Sequence, residues 1–214
     1  MRVGILGSGL MGAKLGTIFA RVGHDVIFSY SRDEKKLQKL ARESGARAGT
    51  PAEAARDADA LLLAVHWSRV DDVLRKAGNL SGKVIVSCSL PMNADDTALV
   101  IANESSGAEE LEKKVRPAHV VSAFNTVPSE VLFSVFETAD DGARPDLVYC
   151  GDDARAKALT ARLIRDVGFS PVDAGPLRIA RYTEPFALLV AQLAYEGDEG
   201  AALAYRFEHF EEKE

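Results

Sequence analysis

Three glycines inside a strand–helix–strand pattern constrain this chain more than any other feature. An apolar run at Arg2–Leu6 predicts a first strand, which leads into the motif G-x-G-x-x-G at Gly7–Gly12. An amphipathic helix is predicted at Met11–Val22 and a second strand at Asp25–Tyr30. Glycines at this spacing, between a strand and a helix, are typical of the first βαβ unit of dinucleotide-binding folds. The alternative is an ordinary glycine-rich turn that binds no ligand.

Each glycine of the motif has a separate physical role in the dinucleotide interpretation. Gly7 permits a sharp turn, Gly9 has no side chain to obstruct a pyrophosphate, and Gly12 lets the helix pack closely on the strand. The start of the helix offers unpaired N–H groups and a positive dipole end to an anion. The predicted pyrophosphate-binding residues are therefore Gly7, Ser8, Gly9, Leu10, Met11 and Gly12.

The end of the second strand carries hydroxyl and guanidinium groups where NAD-binding chains usually carry a carboxylate. Tyr30, Ser31 and Arg32 occupy this position, and Lys36 follows in the next predicted helix. Because Arg forms paired hydrogen bonds to phosphate, these residues predict NADP(H) over NAD(H). Asp33 is a contrary signal, although an acid also suits a helix N-terminus. The alternative interpretation is a solvated charged turn.

Composition narrows the class of protein. The 214 residues carry a net charge of −6, which argues against nonspecific nucleic-acid binding, and 47% are hydrophobic, which suits a globular core. We expect no membrane span, no signal peptide and a cytoplasmic location. The two cysteines, Cys88 and Cys150, are predicted to be buried free thiols. The histidine, cysteine and carboxylate spacing predicts no metal site.

Alternating strand and helix patterns predict a Rossmann-like α/β fold, a doubly wound and mostly parallel sheet with a C-terminal helical extension. We expect residues 1–177 to form the NADP-binding domain and residues 178–214 to form the extension that packs on it. Further strands are predicted at Ala48–Thr50, Ala60–Val65, Lys83–Ser87, Val120–Phe124, Leu147–Cys150 and Ser170–Val172.

Helices are predicted between and after these strands. In the extension, Arg178–Tyr195 is predicted to be largely helical, with the main part of the helix starting near Thr183 and Pro185 in its first turn. A second helix is predicted at Gly200–Glu214. Asp140–Pro145 is predicted to be a polar connection. The apolar helix and the aromatic tail could cover the sheet or form a homodimer interface, and we expect a dimer. Helices are also predicted at Asp33–Ser44, Pro51–Arg56, Ser68–Ala77 and Ala108–Val115.

The chemistry is expected where strand ends meet at the carboxyl edge of the sheet. Three segments are expected there: Val65–Trp67, Ser89–Pro91 and Ala123–Thr126. Together they predict a mostly apolar wall, which suits a flat ring stacked on nicotinamide. His66 is a candidate acid or base, although it could instead contact ribose or cap a helix. Asn125 is a candidate for binding substrate or a backbone loop.

The sequence resembles the coenzyme F420-dependent NADP oxidoreductase family over nearly its whole length. The segments that carry the resemblance are Gly7–Gly12, Ser31-Arg32 with Lys36, Val65–Trp67, Val120–Pro128, Cys150–Asp153 and Asp173–Leu177. The resemblance implies hydride transfer between NADP(H) and an 8-hydroxy-5-deazaflavin. One departure is Asn125, where archaeal members of the family carry histidine. The pair Asp152-Asp153 could alternatively be a plain helix N-cap.

The resemblance also implies residue roles. Ser31, Arg32 and Lys36 would bind the 2′-phosphate, and other segments would enclose the two reacting rings. The further cofactor contacts implied are Val65, His66, Ala123 and Asn125, and the implied substrate contacts are Trp67, Pro91, Phe124, Gly175, Pro176 and Leu177.

The sequence is consistent with three functions. The first is an NADPH-dependent reductase of a deazaflavin or a related flavin-like acceptor. The second is an imine or β-hydroxyacid reductase, which generally needs a longer helical second domain than this chain offers. The third is an NADPH-binding module without catalysis. A clear proton-handling constellation is missing from the sequence, and hydride transfer between flat rings needs such help least.

Overall fold

In the part of the chain that the structure describes, eight strands form one sheet in the order β3-β2-β1-β4-β5-β6-β7-β8. The computed structural model describes residues 1–139, 142 and 144–210, so part of the predicted connection Asp140–Pro145 lies outside the described residues. Strands β1 to β6 are parallel, β7 is antiparallel to β6, and β8 is parallel to β7. The predicted Rossmann-like, mostly parallel sheet is confirmed. The strands are β1 Arg2–Leu6, β2 Asp25–Ser29, β3 Arg47–Ala48, β4 Ala60–Leu63, β5 Val84–Ser87, β6 His119–Ser122, β7 Asp146–Gly151 and β8 Ser170–Asp173.

Helices cover both faces of the sheet. Buried side chains of α1, α2, α6 and α7 belong to one hydrophobic cluster, and those of α3, α4 and α5 belong to a second cluster that also includes the start of α8. Short 3₁₀ turns precede α4, α6 and α8. The helices are α1 Leu10–Arg21, α2 Glu34–Ser44, α3 Pro51–Arg56, α4 Val70–Ala77, α5 Gly107–Val115, α6 Leu132–Glu137, α7 Ala154–Val167 and α8 Ala180–Tyr195.

The continuous apolar run of β4 reflects this double covering. Ala60 and Leu62 point into the first cluster, whereas Leu61 and Leu63 point into the second. Because side chains alternate along a strand, a sheet covered on both faces needs apolar residues at every position. All four of these residues are at most 1% exposed.

Helix starts follow the predicted capping chemistry. Asp33 Oδ1 accepts hydrogen bonds from the N–H groups of Lys35 and Lys36, and Thr50 forms a capping box with Glu53. The Asp33 carboxylate is therefore engaged with the first turn of α2, as an N-terminal acid should be.

Helix α8 differs from the prediction at its start. It begins at Ala180, directly after the 3₁₀ turn Leu177–Ile179, so Pro185 lies in its second turn instead of its first. Proline there removes one backbone hydrogen bond. Buried residues on both sides of it, Ala180 and Ala187, keep the helix packed on the sheet despite that loss.

Residues 200–210 do not form the described part of the second helix predicted at Gly200–Glu214. Residues 200–210 are extended or irregular, and residues 211–214 lie outside the described residues. Tyr205 pairs with Asp146 as an antiparallel bridge, and Asp146 Oδ2 accepts a 2.6 Å hydrogen bond from the N–H of Phe207. These bonds to the edge of β7 use backbone groups that a helix would need for itself.

Within the part of the chain that is described, no helix is both long and apolar enough to cross a bilayer. Cys88 and Cys150 are free thiols, half-buried and buried respectively.

Candidate functional site

The glycine motif forms the turn between β1 and α1, at the point where the sheet order reverses. Gly7 has a φ of 114°, in the left-handed region that favours glycine. Its N–H donates to the carbonyl of Ser29 at 3.1 Å, and the Ser8 hydroxyl donates to the same carbonyl at 2.9 Å. The turn is therefore fixed to the end of β2.

A side chain would meet different surroundings at the other two glycines of the motif. A Cβ on Gly12 would lie 1.9 Å from the carbonyl oxygen of Gly7, so any side chain there would push α1 away from the turn. A Cβ on Gly9 would meet no atom of the described residues within 4 Å. Gly9 is the N-cap of α1, and no side chain caps that helix within the described residues. The turn thus presents open space and unpaired N–H groups together.

The end of β2 presents the predicted 2′-phosphate residues to solvent. Ser31, Arg32 and Lys36 are all exposed. The Ser31 hydroxyl accepts from the N–H of Asp33 at 3.1 Å and donates to its carbonyl at 2.9 Å. No acid among the described residues pairs with Arg32, and Glu34 is hydrogen-bonded to a glutamine on its own helix. The guanidinium is therefore available to an anion.

A cavity of about 430 Å³ opens beside the glycine turn at the carboxyl edge of the sheet. The structure brings together there the three strand ends predicted to meet, after β4, β5 and β6. Residues predicted for the site that line this cavity are Gly9, Leu10, Met11, Val65, His66 and Asn125.

His66 caps the 3₁₀ turn Trp67–Arg69. Its Nδ1 accepts a 3.2 Å hydrogen bond from the N–H of Ser68, so its Nε2 carries the proton. Nε2 lies 3.2 Å from the carbonyl of Asn93 and 3.1 Å from Asp96 Oδ1. Both ring nitrogens are therefore engaged, and the capping alternative describes this residue.

Asn125 faces the cavity from the turn after β6. Its Nδ2 donates to the Ser122 hydroxyl at 3.1 Å, which leaves its Oδ1 without a partner among the described residues. The two residues before it do not face the cavity. Ala123 and Phe124 are fully buried, and Phe124 packs edge-on against Phe19 in the core. The predicted contacts of Ala123 and Phe124 with ligand are thus corrected, because the core occupies their side chains.

The C-terminal half of α8 supplies a wall that sequence reasoning missed. Ala187, Val190, Ala191 and Tyr195 line the cavity. The Tyr195 hydroxyl donates to Glu130 Oε2 at 2.9 Å, and burial together with that carboxylate raises the pKa of Tyr195 to about 12. The spacing of two small residues four positions apart, at 187 and 191, is the sequence signal that could have indicated this face. Other lining residues missed from the sequence are Cys88, Met92, Asp96 and Val127–Ser129.

The predicted turn Gly175–Leu177 lies at the opposite edge of the sheet. Since β7 is antiparallel to β6, its last residue Gly151 pairs with Val121, and the following Asp153 lies 3.7 Å from His119 at the start of β6. Gly151 donates to the carbonyl of Gly175 at 3.1 Å. The turn therefore cannot enclose a ligand at the carboxyl edge, which corrects the assignment of Gly175, Pro176 and Leu177 to the substrate site.

Two other predicted substrate contacts, Trp67 and Pro91, do not line the cavity either. Trp67 packs against the second hydrophobic cluster, and the Pro91 ring lies where a side chain on Gly107 would otherwise be. The pair Asp152-Asp153 acts structurally. Asp153 caps α7 by accepting from the N–H of Ala156 at 2.7 Å.

Among the described residues, no group of three or more histidine, cysteine or acidic side chains is placed so that it could hold a metal ion.

The N-terminal part of the chain matches the sequence model of a known protein family. Residues 2–91, which include β1 to β5 and the glycine turn, match the family model described as NADP oxidoreductase coenzyme F420-dependent. The resemblance found in the sequence is confirmed by this match.

One curated protein to which the chain is similar is metalloreductase STEAP3 of Rattus norvegicus. It is 31% identical over 187 residues, covering 87% of this chain and 36% of the metalloreductase. The chain therefore spans about a third of the length of that relative.

Solved structures show the same fold over almost the whole length of the chain. A proposed F420-dependent NADP reductase of Arthrobacter sp. FB24 superposes with a TM-score of 0.86 at 23% identity, covering 98% of this chain and 100% of that one. A reductive aminase of Aspergillus terreus, solved with NADPH and ethyl levulinate, gives a TM-score of 0.65 at 19% identity, covering 89% of this chain and 60% of that one.

Proposed function

We propose that this protein is an oxidoreductase that transfers a hydride between NADP(H) and a deazaflavin (coenzyme F420) or a related flavin-like acceptor. The observation that carries the proposal is the cavity itself. It adjoins the open glycine turn and is mostly apolar, with both ring nitrogens of His66 hydrogen-bonded and the Tyr195 hydroxyl donating to Glu130.

The residues present fit a dinucleotide. The turn Gly7–Gly12 would hold the pyrophosphate, since the space beyond Gly9 is open and the first N–H groups of α1 are uncapped by any described side chain. Ser31, Arg32 and Lys36 would hold the 2′-phosphate. Bound NADPH would supply the hydride, and NADP⁺ would accept one in the reverse direction.

The acceptor end of the cavity suits a flat ring. Val65, the apolar wall of α8 and the Asn125 amide would orient the ring and exclude water from it. Transfer to such a ring depends mainly on proximity and alignment, because the acceptor's own ring system takes up the charge.

Reduction of an imine or ketone is the alternative, and the structure disfavours it. Such a reaction usually needs a proton donor at the reacting carbon or nitrogen. Both nitrogens of His66 are engaged, and a Tyr195 phenol with a pKa of about 12 is a weak acid at neutral pH. An NADPH-binding module without catalysis is the other alternative.

A mixing assay tests the proposal. Purified protein is combined with NADPH and either oxidised deazaflavin, free flavin or a cyclic imine, and the absorbance of each acceptor is followed. We expect turnover with a deazaflavin or flavin. Turnover with the imine alone would contradict the proposal, and tight NADPH binding with no turnover on any acceptor would identify a non-catalytic module.

Arg32→Ala tests the cofactor assignment. Because the guanidinium would make charge-assisted bonds to the 2′-phosphate, we expect the Kd for NADPH to rise at least about tenfold and the Kd for NADH to change little. Arg42→Ala is the matched control, since Arg42 is an exposed arginine in the last turn of α2, the helix that follows Arg32. An unchanged ratio of the two dissociation constants in Arg32→Ala would refute the NADP(H) preference.

A further inference from the structure

Tyr30 has a backbone conformation that its side chain disfavours. Its φ is 59°, in the left-handed region where a bulky aromatic residue is uncommon and strained. It follows β2 directly and precedes Ser31 and Arg32, the residues that would hold the 2′-phosphate. The direction in which these two residues leave the strand is therefore set at Tyr30.

The chain is fixed on both sides of this residue. On the N-terminal side, the carbonyl of Ser29 accepts two hydrogen bonds from the glycine turn, and its hydroxyl donates to Ile5 at 2.7 Å. On the C-terminal side, Asp33 caps α2 and also holds the Ser31 hydroxyl through its backbone. Tyr30 is thus the link between a fixed phosphate turn and a fixed helix start.

Contacts with α4 hold Tyr30 in place. Its hydroxyl donates to Asp72 Oδ2 at 2.7 Å, and the Lys76 ammonium lies 5.2 Å from the centre of its ring. Lys76 also donates to Asp72 at 2.8 Å, and Arg75 contacts the other carboxylate oxygen. The hydrogen bonds from Lys76 and Tyr30 hold the pKa of Asp72 below its usual range, so the carboxylate stays charged at neutral pH. We call the hydrogen bond between Tyr30 and Asp72 the Tyr30–Asp72 bridge.

We infer that the Tyr30–Asp72 bridge is a positioning device that sets the preference for NADPH over NADH, by directing Ser31 and Arg32 toward the 2′-phosphate. The inference rests on the proposed NADP(H) function. The bridge acts through conformation: it anchors the aromatic ring of Tyr30, and the anchored ring keeps the Tyr30 backbone at positive φ. Neither Tyr30 nor Asp72 is required to contact the cofactor.

Paired substitutions at position 30 separate conformation from side-chain loss. Tyr30→Ala removes the bridge and leaves a residue that disfavours positive φ, whereas Tyr30→Gly removes the bridge but accepts that conformation freely. Dissociation constants for NADPH and NADH are measured by quenching of Trp67, the sole tryptophan. We expect Tyr30→Ala to weaken NADPH binding about tenfold and NADH binding less than about twofold. Tyr30→Gly should retain most of the wild-type preference.

Neighbouring aspartates on α4 give a second matched pair. Asp72→Asn removes the charge that receives the Tyr30 hydroxyl, and we expect a loss of NADPH preference of about fivefold. Asp71→Asn is its control, because the Asp71 carboxylate is exposed and pairs with Lys114 at 2.9 Å instead. Thermal unfolding of each variant establishes that it is folded. If Tyr30→Ala does not fold, Asp72→Asn and Tyr30→Phe test the same bridge.

The outcomes separate this inference from the function on which it rests. If wild-type protein binds NADPH tightly but Tyr30→Ala, Tyr30→Gly and Asp72→Asn all keep its NADPH to NADH ratio, the bridge is purely structural and the inference is wrong. Equal loss of preference in Tyr30→Ala and Tyr30→Gly would also overturn it, since the ring itself would then matter. If the wild-type protein binds neither nucleotide, the proposed function fails and the inference fails with it.

Discussion

A buried carboxylate on α8 should make the stability of this protein fall as the pH rises. Glu184 is 1% exposed and accepts hydrogen bonds from the N–H groups of Gly107 and Ala108, at 2.9 and 3.0 Å. These bonds at the start of α5 favour the charged form, but burial outweighs them and raises the pKa of Glu184 from 4.5 to about 7. The folded state therefore binds this proton more tightly than the unfolded state does.

The sign and size of the effect follow from that difference. The stabilisation is fully present below pH 4.5 and is lost as the pH rises through about 7. At about 1.4 kcal/mol for each pKa unit, the whole effect is about 3 kcal/mol, most of which falls between pH 5 and pH 8. Glu184→Gln replaces the carboxyl with a neutral group of the same shape, so the variant should lack this component.

Urea unfolding at several pH values between 5 and 8 measures the effect. The free energy of unfolding of the wild type, minus that of Glu184→Gln, should fall by about 2–3 kcal/mol over this range, and groups that titrate in both proteins cancel in the difference. Glu104→Gln, which changes an exposed carboxylate, should give a flat difference. A flat difference for Glu184→Gln as well would refute the reasoning, because Glu184 would then titrate alike in both states.

Two further substitutions test the glycine turn and the tail. Gly9→Ala should change the unfolding free energy by less than about 1 kcal/mol while weakening NADPH binding, whereas Gly12→Ala should cost more than about 3 kcal/mol because its Cβ would overlap the Gly7 carbonyl. Urea unfolding and NADPH titration distinguish them, and similar stability losses in both would contradict the argument. Tyr205→Phe should cost about 1–3 kcal/mol, since the N–H of Val148 donates to the Tyr205 hydroxyl at 3.1 Å. Unchanged urea unfolding in that variant would show that the bond contributes nothing.

Most of the fold was predictable because local signals agreed with tertiary structure. The apolar runs of β1, β4 and β5 and the caps at Asp33 and Thr50 marked their elements within a residue or two. The tail was not predictable in the same way. The aromatic spacing of the tail allowed a helix. The first residue of β7, however, supplies hydrogen-bond partners to the backbone of the tail, and these exist only once the sheet has folded.

The site was predictable where its residues are contiguous. The glycine turn and the residues after β2 and β4 lie together because the parallel strands all end at one edge. The error at Gly175–Leu177 has one cause, the reversal of β7, and a run of apolar residues carries no information about strand direction. The wall formed by Ala187 and Tyr195 was missed because only tertiary packing brings α8 over the cavity.

Because β7 runs antiparallel to β6, the walls of the cavity come from both ends of the chain. Because the turn after β8 lies at the edge of the sheet opposite the cavity, α8 begins at that edge and lines the cavity only with its C-terminal half. The residues proposed to hold the pyrophosphate and the 2′-phosphate consequently lie within the first 36 residues, and much of the opposing cavity wall lies after residue 186. Under the proposed function, substitutions confined to α8 would change the acceptor end of the cavity and leave the proposed phosphate contacts unaltered.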